Sequence, residues 1–234
     1  MFLVVVLNKG GASLLLYSLI KCRSIQLKPD PNISDSTLSV TQQHHAHTET
    51  AEDLPGDFAI WIFIFAEMLA FGVMFVAYAF TRAYDVQLFN QSQLTLNRTS
   101  GTINTIVLIE SSYCVANAVS AIRQGYATKC ANWLIGTCLL GGVFVVVKMA
   151  EFIEKFDAGI SLSTNNFYMF YLSLTFFHFM HVLMGMVILI SIIIKARRGG
   201  YSAQDYVGVE SGASFWHMVD FLWIILFPLI YIIR

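Results

Sequence analysis

The chain is predicted to be an all-α polytopic membrane protein, a bundle of five transmembrane helices. Of its 234 residues, 56% are hydrophobic and only 12% are charged, about half the charge of an ordinary soluble domain. Five apolar runs are each close to the roughly 20 residues that a helix needs to cross a bilayer, and polar or charged stretches separate them. Strands of an outer-membrane barrel would be about ten residues long and would alternate in polarity. These runs do neither, so they are read as helices.

The runs cover residues 58–80, 102–121, 131–150, 167–194 and 212–233. Pro55-Gly56-Asp57 precedes the first, with Asp57 placed as an N-cap. Lys195-Ala196-Arg197-Arg198-Gly199-Gly200 stops the fourth. Residues 57–234 therefore form one membrane domain. Residues 1–56 read as a mostly polar, disordered extension, with Pro29, Pro31 and a Ser/Thr/Gln/His-rich stretch. His44, His45 and His47 lie in that stretch with nothing nearby to complete a metal shell. Residues 2–20 are apolar, but Asn8-Lys9-Gly10-Gly11 cuts them in two, and they are not counted as a sixth span. Cys22, Cys114, Cys130 and Cys138 form no CxxC pair and read as small buried residues.

With 14 Lys and Arg against 15 Asp and Glu, no basic excess exists to neutralise phosphates, which excludes a nucleic-acid partner. The distribution of the cations sets an orientation. On the side of the N-terminus lie Lys9, Lys21, Arg23 and Lys28, then Arg123, Lys129, Lys195, Arg197 and Arg198. Arg82, Arg98, Lys155 and Arg234 lie on the other side. The positive-inside rule then places the N-terminus in the cytoplasm and the C-terminus in the periplasm of a bacterial inner membrane.

The informative residues are the few polar groups inside the runs. Glu67 is alone in the first helix, Glu110 lies in the second, His178 and His181 in the fourth, and His217 and Asp220 in the fifth. A charge at a helix centre costs about 2.5–3.5 kcal/mol on insertion scales, so each needs a partner or a proton. At a rise of about 1.5 Å per residue, Glu67 falls roughly 14 Å from the inner end of its helix, Glu110 and His178 roughly 12–17 Å from their outer ends and Asp220 roughly 12 Å from its inner end, with His181 one turn beyond His178, which predicts one buried polar layer. Spacings of three put His178 and His181 on one helix face, and likewise His217 and Asp220. Glu151 and Glu154, beside Lys148 and Lys155, repeat that spacing at the end of the third run. They read equally as surface ion pairs with a snorkelling lysine or as a functional cluster. Three readings fit the mid-membrane layer: a proton-exchanging carboxyl–imidazole site, a di-iron or other metal site, or hydrogen bonds that only fix helix packing. Against metal, the Glu-x-x-His pairing of di-iron bundles is absent.

Taken in order, the motifs are similar to those of heme-copper oxidase subunit III. Ala59-Ile60-Trp61-Ile62-Phe63-Ile64-Phe65-Ala66-Glu67 resembles the helix that carries that family's lone membrane Glu. Ile103-Asn104-Thr105 resembles its Leu-Asn-Thr segment, and Met149-Ala150-Glu151-Phe152 its Ala-Ser-Glu-Tyr segment. Phe177-His178-Phe179-Met180-His181-Val182-Leu183-Met184-Gly185 resembles its Phe-His-x-x-His-Val-x-x-Gly stretch. Phe215-Trp216-His217-Met218-Val219-Asp220-Phe221-Leu222-Trp223 resembles its closing Trp-His-Phe-Val-Asp-x-x-Trp.

The resemblance covers residues 54–234. It implies a non-catalytic membrane subunit of a cytochrome c oxidase-like enzyme of aerobic respiratory electron transport, of a short five-helix bacterial type. Such a subunit holds no cofactor of its own, because hemes and copper belong to catalytic subunit I. It packs beside subunit I and with subunit II, stabilises the catalytic subunit during turnover and helps proton uptake, with bound phospholipid as a further component. Glu67 matches the family's carbodiimide-reactive Glu, and His178 and His181 match its paired histidines. Pro55-Gly56-Asp57, and Lys148 ahead of Glu151, look more like the members associated with nitric oxide reductases, so an accessory role in denitrification is the alternative. A free-standing membrane di-iron enzyme is the more remote one.

Overall fold

The computed structural model describes residues 58–233. The expectations for residues 1–57, including the Asp57 cap, the histidine tract, Cys22 and the 2–20 run, lie outside the described residues.

Among the described residues, five long helices are apolar enough to cross a membrane by length and composition. They are α1 (Phe58–Tyr84), α3 (Arg98–Arg123), α4 (Ala127–Asp157), α5 (Asn166–Arg197) and α6 (Val207–Phe227). A short helix, α2 (Val86–Leu94), interrupts the connection between the first two spans. Val86–Leu94 is polar and too short to show a convincing period, so the sequence pattern does not mark it.

The spans run longer than their apolar cores because capping residues start and stop them. Asn97 Oδ1 accepts from the backbone N–H of Thr99 and Ser100 at the start of α3. Asn165 Oδ1 accepts from Tyr168 N–H at the start of α5, and Asp85 does the same for Leu88 at α2. Each supplies an oxygen to N–H groups that the first helical turn leaves unpaired. At the far end of α3, Gly125 takes φ +81°. The chain then closes a double loop, Gly125 N–H to Ile122 O and Tyr126 N–H to Ala121 O, which is a Schellman stop needing a residue free of the Cβ penalty. Gly159 and Gly199 end α4 and α5 in the same way.

α3, α4, α5 and α6 form a closed ring in which each packs on the next and α6 returns to α3, while α1 leans on α5 and α6. The ring is filled by Trp216, Trp223, Phe144, Leu108 and Val115, all essentially without solvent exposure. Trp216 fits because Gly141 of α4 and Gly185 of α5 carry no side chain. A Cβ at either would come within 2.9 Å of the indole.

The last span was expected as one helix over 212–233. It is instead an α-helix to Phe227 followed by a π-helical turn, Pro228–Ile232. Pro228 lacks the N–H that would continue the α-helical pattern, and Ile233 N–H reaches back five residues to Pro228 O. Gln93 of α2 holds this turn, its Nε2 donating to Ile230 O at 2.8 Å and Ile233 O at 2.9 Å.

Candidate functional site

Along α1 the buried residues are Ile64, Phe71 and Tyr78, seven apart. Glu67 sits between the first two on that same stripe, three residues after one and four before the other, so its side chain turns toward the ring. Its Oε2 lies 3.0 Å from His181 Nε2 on α5, and Phe71 packs its ring edge-on against the same imidazole. The other ring nitrogen, Nδ1, is 2.7 Å from Phe177 O. A carbonyl only accepts, so Nδ1 carries a hydrogen and donates. Nε2 can then face Glu67 in two ways. Either a neutral imidazole accepts from a protonated carboxyl, or an imidazolium donates to a carboxylate. Both need one proton between the two residues, and both leave the pair without net charge. Either arrangement ties α1 to α5 by one hydrogen bond. Glu67 keeps 25% of its side-chain exposure and His181 keeps 11%, so the link is only partly closed off.

The Lys148 cluster is not a surface group. Lys148 has no exposure, and its Nζ donates to Glu151 Oε2 at 3.0 Å and to the Tyr231 hydroxyl at 2.7 Å. Tyr231 passes its own hydroxyl hydrogen to Glu151 Oε1 at 2.7 Å, and Tyr171 of α5 donates to the same oxygen at 2.7 Å. The ammonium lies about 5 Å from the rings of Tyr171, Trp223 and Tyr231, a cation–π environment. Snorkelling is impossible because α4 runs on to Asp157. That puts Lys148 about 14 Å from the helix end, beyond the reach of its side chain. Gly141, Phe144, Lys148, Glu151 and Lys155 are all buried at helical spacing, so the lysine is on the inward face. Lys155 Nζ donates to Thr95 O at 2.8 Å instead of pairing with Glu151, and Glu154 is exposed.

The remaining layer residues do not join into one network. His178 is fully buried between Phe144 and Trp223, and neither of its ring nitrogens has a hydrogen-bond partner among the described residues. The same holds for both carboxyl oxygens of Asp220 and both amide atoms of Asn104. His217 is exposed, and its Nδ1 lies 2.7 Å from Ser112 Oγ on α3. Glu110 does not belong to a buried layer, because it is exposed. The packed face of α3 runs through Asn104, Leu108, Ser111 and Val115, and residue 110 is turned about 100° from residue 111. Depth alone placed these groups together, but the turn of each helix separates them.

Tyr171, Tyr231 and Gln93 were missed by the sequence reading. A tyrosine in an apolar run reads as an interfacial or core residue, and only the burial of Lys148 shows why two hydroxyls are needed. Among the described residues no three His, Cys, Asp or Glu side chains come together as a metal shell. Cys130 is buried and Cys114 and Cys138 are partly buried, all free thiols.

This is the architecture of a multi-span membrane protein whose described helices are tied together by buried polar links. Comparison with known proteins gives its family. The family model for cytochrome c oxidase subunit III matches residues 35–234. The cytochrome c oxidase subunit 3 of Thermostichus vulcanus is 33% identical over 81% of this chain and 91% of its own length. Quinol oxidase subunit 3 of Bacillus spizizenii is 28% identical over 74% of this chain and 84% of its own. The heme-copper oxidase subunit I+III of Aeropyrum pernix is 27% identical over 75% of this chain and 22% of its own length. The chain belongs to the cytochrome c oxidase subunit III family, as a non-catalytic subunit III of a heme-copper oxidase.

Proposed function

We propose that this chain packs beside the heme- and copper-bearing subunit I of a terminal oxidase, with subunit II in the same assembly. There it stabilises the catalytic subunit and assists proton uptake through Glu67 and His181. The support for the partner is the relative from Aeropyrum pernix, whose name joins subunits I and III in one chain. The support for the proton role is the 3.0 Å contact between Glu67 Oε2 and His181 Nε2, which joins a carboxyl and an imidazole across two spans. In this reading the hemes and copper stay in the partner, this chain contributes no cofactor, and phospholipid fills the membrane-facing clefts. The basic ends of α3 and α5, Arg123, Arg197 and Arg198, face the cytoplasm of a bacterial inner membrane, with the C-terminus on the periplasmic side.

The test is affinity purification of the tagged chain from its own membranes in mild detergent, followed by heme spectroscopy and identification of the co-purified subunits. An oxygen-reducing heme-copper subunit with the chain supports the proposal. A nitric oxide reductase catalytic subunit would transfer the same accessory role to denitrification. A chain that purifies alone with about two irons would sink the subunit reading in favour of a di-iron enzyme.

A further inference from the structure

Glu110 lies at the middle of α3, about 18 Å from Arg98 and about 20 Å from Arg123 along the helix. It is nonetheless exposed, with no hydrogen-bond or ion-pair partner among the described residues. It is not alone. Glu110, Tyr113, Asn117, Ser120 and Gln124 follow one another at steps of three and four, so they form a single stripe. The opposite face, Asn104, Leu108, Ser111, Val115 and Ala118, is buried in the ring, and no rotation of α3 brings both faces inside. Ser120 and Gln124 are close enough to the helix end to meet water and headgroups. Glu110, Tyr113 and Asn117 are not, and Tyr113 is 64% exposed.

Elsewhere the outward surface is what lipid selects. Phe65, Leu69, Val73 and Phe80 project from α1, and Leu139 and Val146 from α4. On the α3 side the polarity widens. A groove of about 430 Å³ between α3 and α6 is lined by Ser120, Gln124, Ala213, Ser214 and His217 among others, and His217 lies about 15 Å from the start of α6. A carboxyl and an imidazole exposed at these depths, with the half-buried Asn117 amide on the same stripe, face protein or a water-filled space, not acyl chains.

We propose that the α3 stripe and the adjoining α3–α6 groove are the docking surface for the catalytic subunit. This rests on the partner named under Proposed function. One spanning helix of that subunit lies along the stripe, whose average spacing of 3.5 residues matches the left-handed crossing of about 20° used by paired helices. At the depth of Glu110 it presents a hydrogen-bond donor or a cation, the complement of an unpaired carboxyl. A second copy of this chain fits poorly. The twofold axis of a membrane dimer runs along the membrane normal, so a dimer packed on this stripe would bring two Glu110 carboxyls to the same depth beside the axis.

The experiment uses the intact membrane complex with the photo-reactive residue benzoylphenylalanine replacing Tyr113, and in a separate strain replacing Leu69 of α1. The expected result is an adduct between this chain and the catalytic subunit from position 113 and none from position 69. In parallel, Glu110→Leu should lower co-purified catalytic subunit at least tenfold at equal chain abundance, while Glu110→Gln retains most of it. Adducts from 113 only with lipid, with the same chain or with a second copy would overturn the docking surface, as would no adduct at all. Wild-type co-purification by Glu110→Leu would overturn it too. If the unmodified chain brings down no heme-copper subunit, the partner itself is wrong, which is a separate failure.

Discussion

Tyr231 accepts a hydrogen bond from Lys148 at 2.7 Å and donates one to Glu151 at 2.7 Å, so a single hydroxyl bridges the two ends of a buried ion pair. The bridge also ties the C-terminal π-helical turn to α4, and Tyr171 adds α5 through the same Glu151 oxygen. Removing either charge leaves the other buried without compensation. Lys148→Met and Glu151→Gln should each destabilise the chain by about 3–5 kcal/mol. The double variant Lys148→Met/Glu151→Leu should recover a substantial part of that loss, since no lone charge remains. Reversible unfolding in mixed micelles measures all three, and single variants as stable as wild type would show that the pair is not closed to solvent.

Trp216 is held between two helices that approach without side chains. Gly141→Ala and Gly185→Ala each push a methyl to within 2.9 Å of the indole, and overpacking of this kind costs about 1–3 kcal/mol. A methyl at position 142 would meet nothing within 4 Å, so Gly142→Ala should be neutral or stabilising by up to about 1 kcal/mol. Thermal melts of the three variants decide it. Equal melting of Gly141→Ala and Gly142→Ala would mean that the ring is looser than its packing implies.

The fold was legible because lipid imposes a coarse rule, long apolar runs with polar breaks, and α1 and α3–α6 all obey it. The Glu67–His181 link was half legible: depth put Glu67 in one layer with His178 and His181, and only the rotation of α5 chooses between them. The Lys148 cluster was not legible as a buried site. The apolar run before it ended near residue 150, which made Lys148 look interfacial, whereas the helix continues to Asp157. Glu110 shows the converse. Its depth is central, but its side of α3 faces away from the bundle, and a turn of one residue is invisible to an argument from depth.

The proposed orientation rests on the basic ends of the helices. Reporter fusions after Arg198 should read as cytoplasmic, and fusions after Asp85 or Asp157 as periplasmic. The reverse pattern would mean that the distribution of Lys and Arg does not set the topology here.

Proton exchange through Glu67 and His181 is the central proposal about the site. Glu67→Gln keeps a donor for Nε2 but has no exchangeable acid proton. Glu67→Ala leaves the imidazole without a partner, at about 1 kcal/mol, the low end for an orphaned polar group because the site is partly exposed. The most direct measurement is turnover of the purified oxidase assembled with wild-type, Glu67→Gln or Glu67→Ala chain, normalised to heme content. Unchanged subunit yield and slowed turnover are expected for Glu67→Gln, and both lower yield and slowed turnover for Glu67→Ala. Wild-type yield and wild-type turnover in both variants would contradict the proposal.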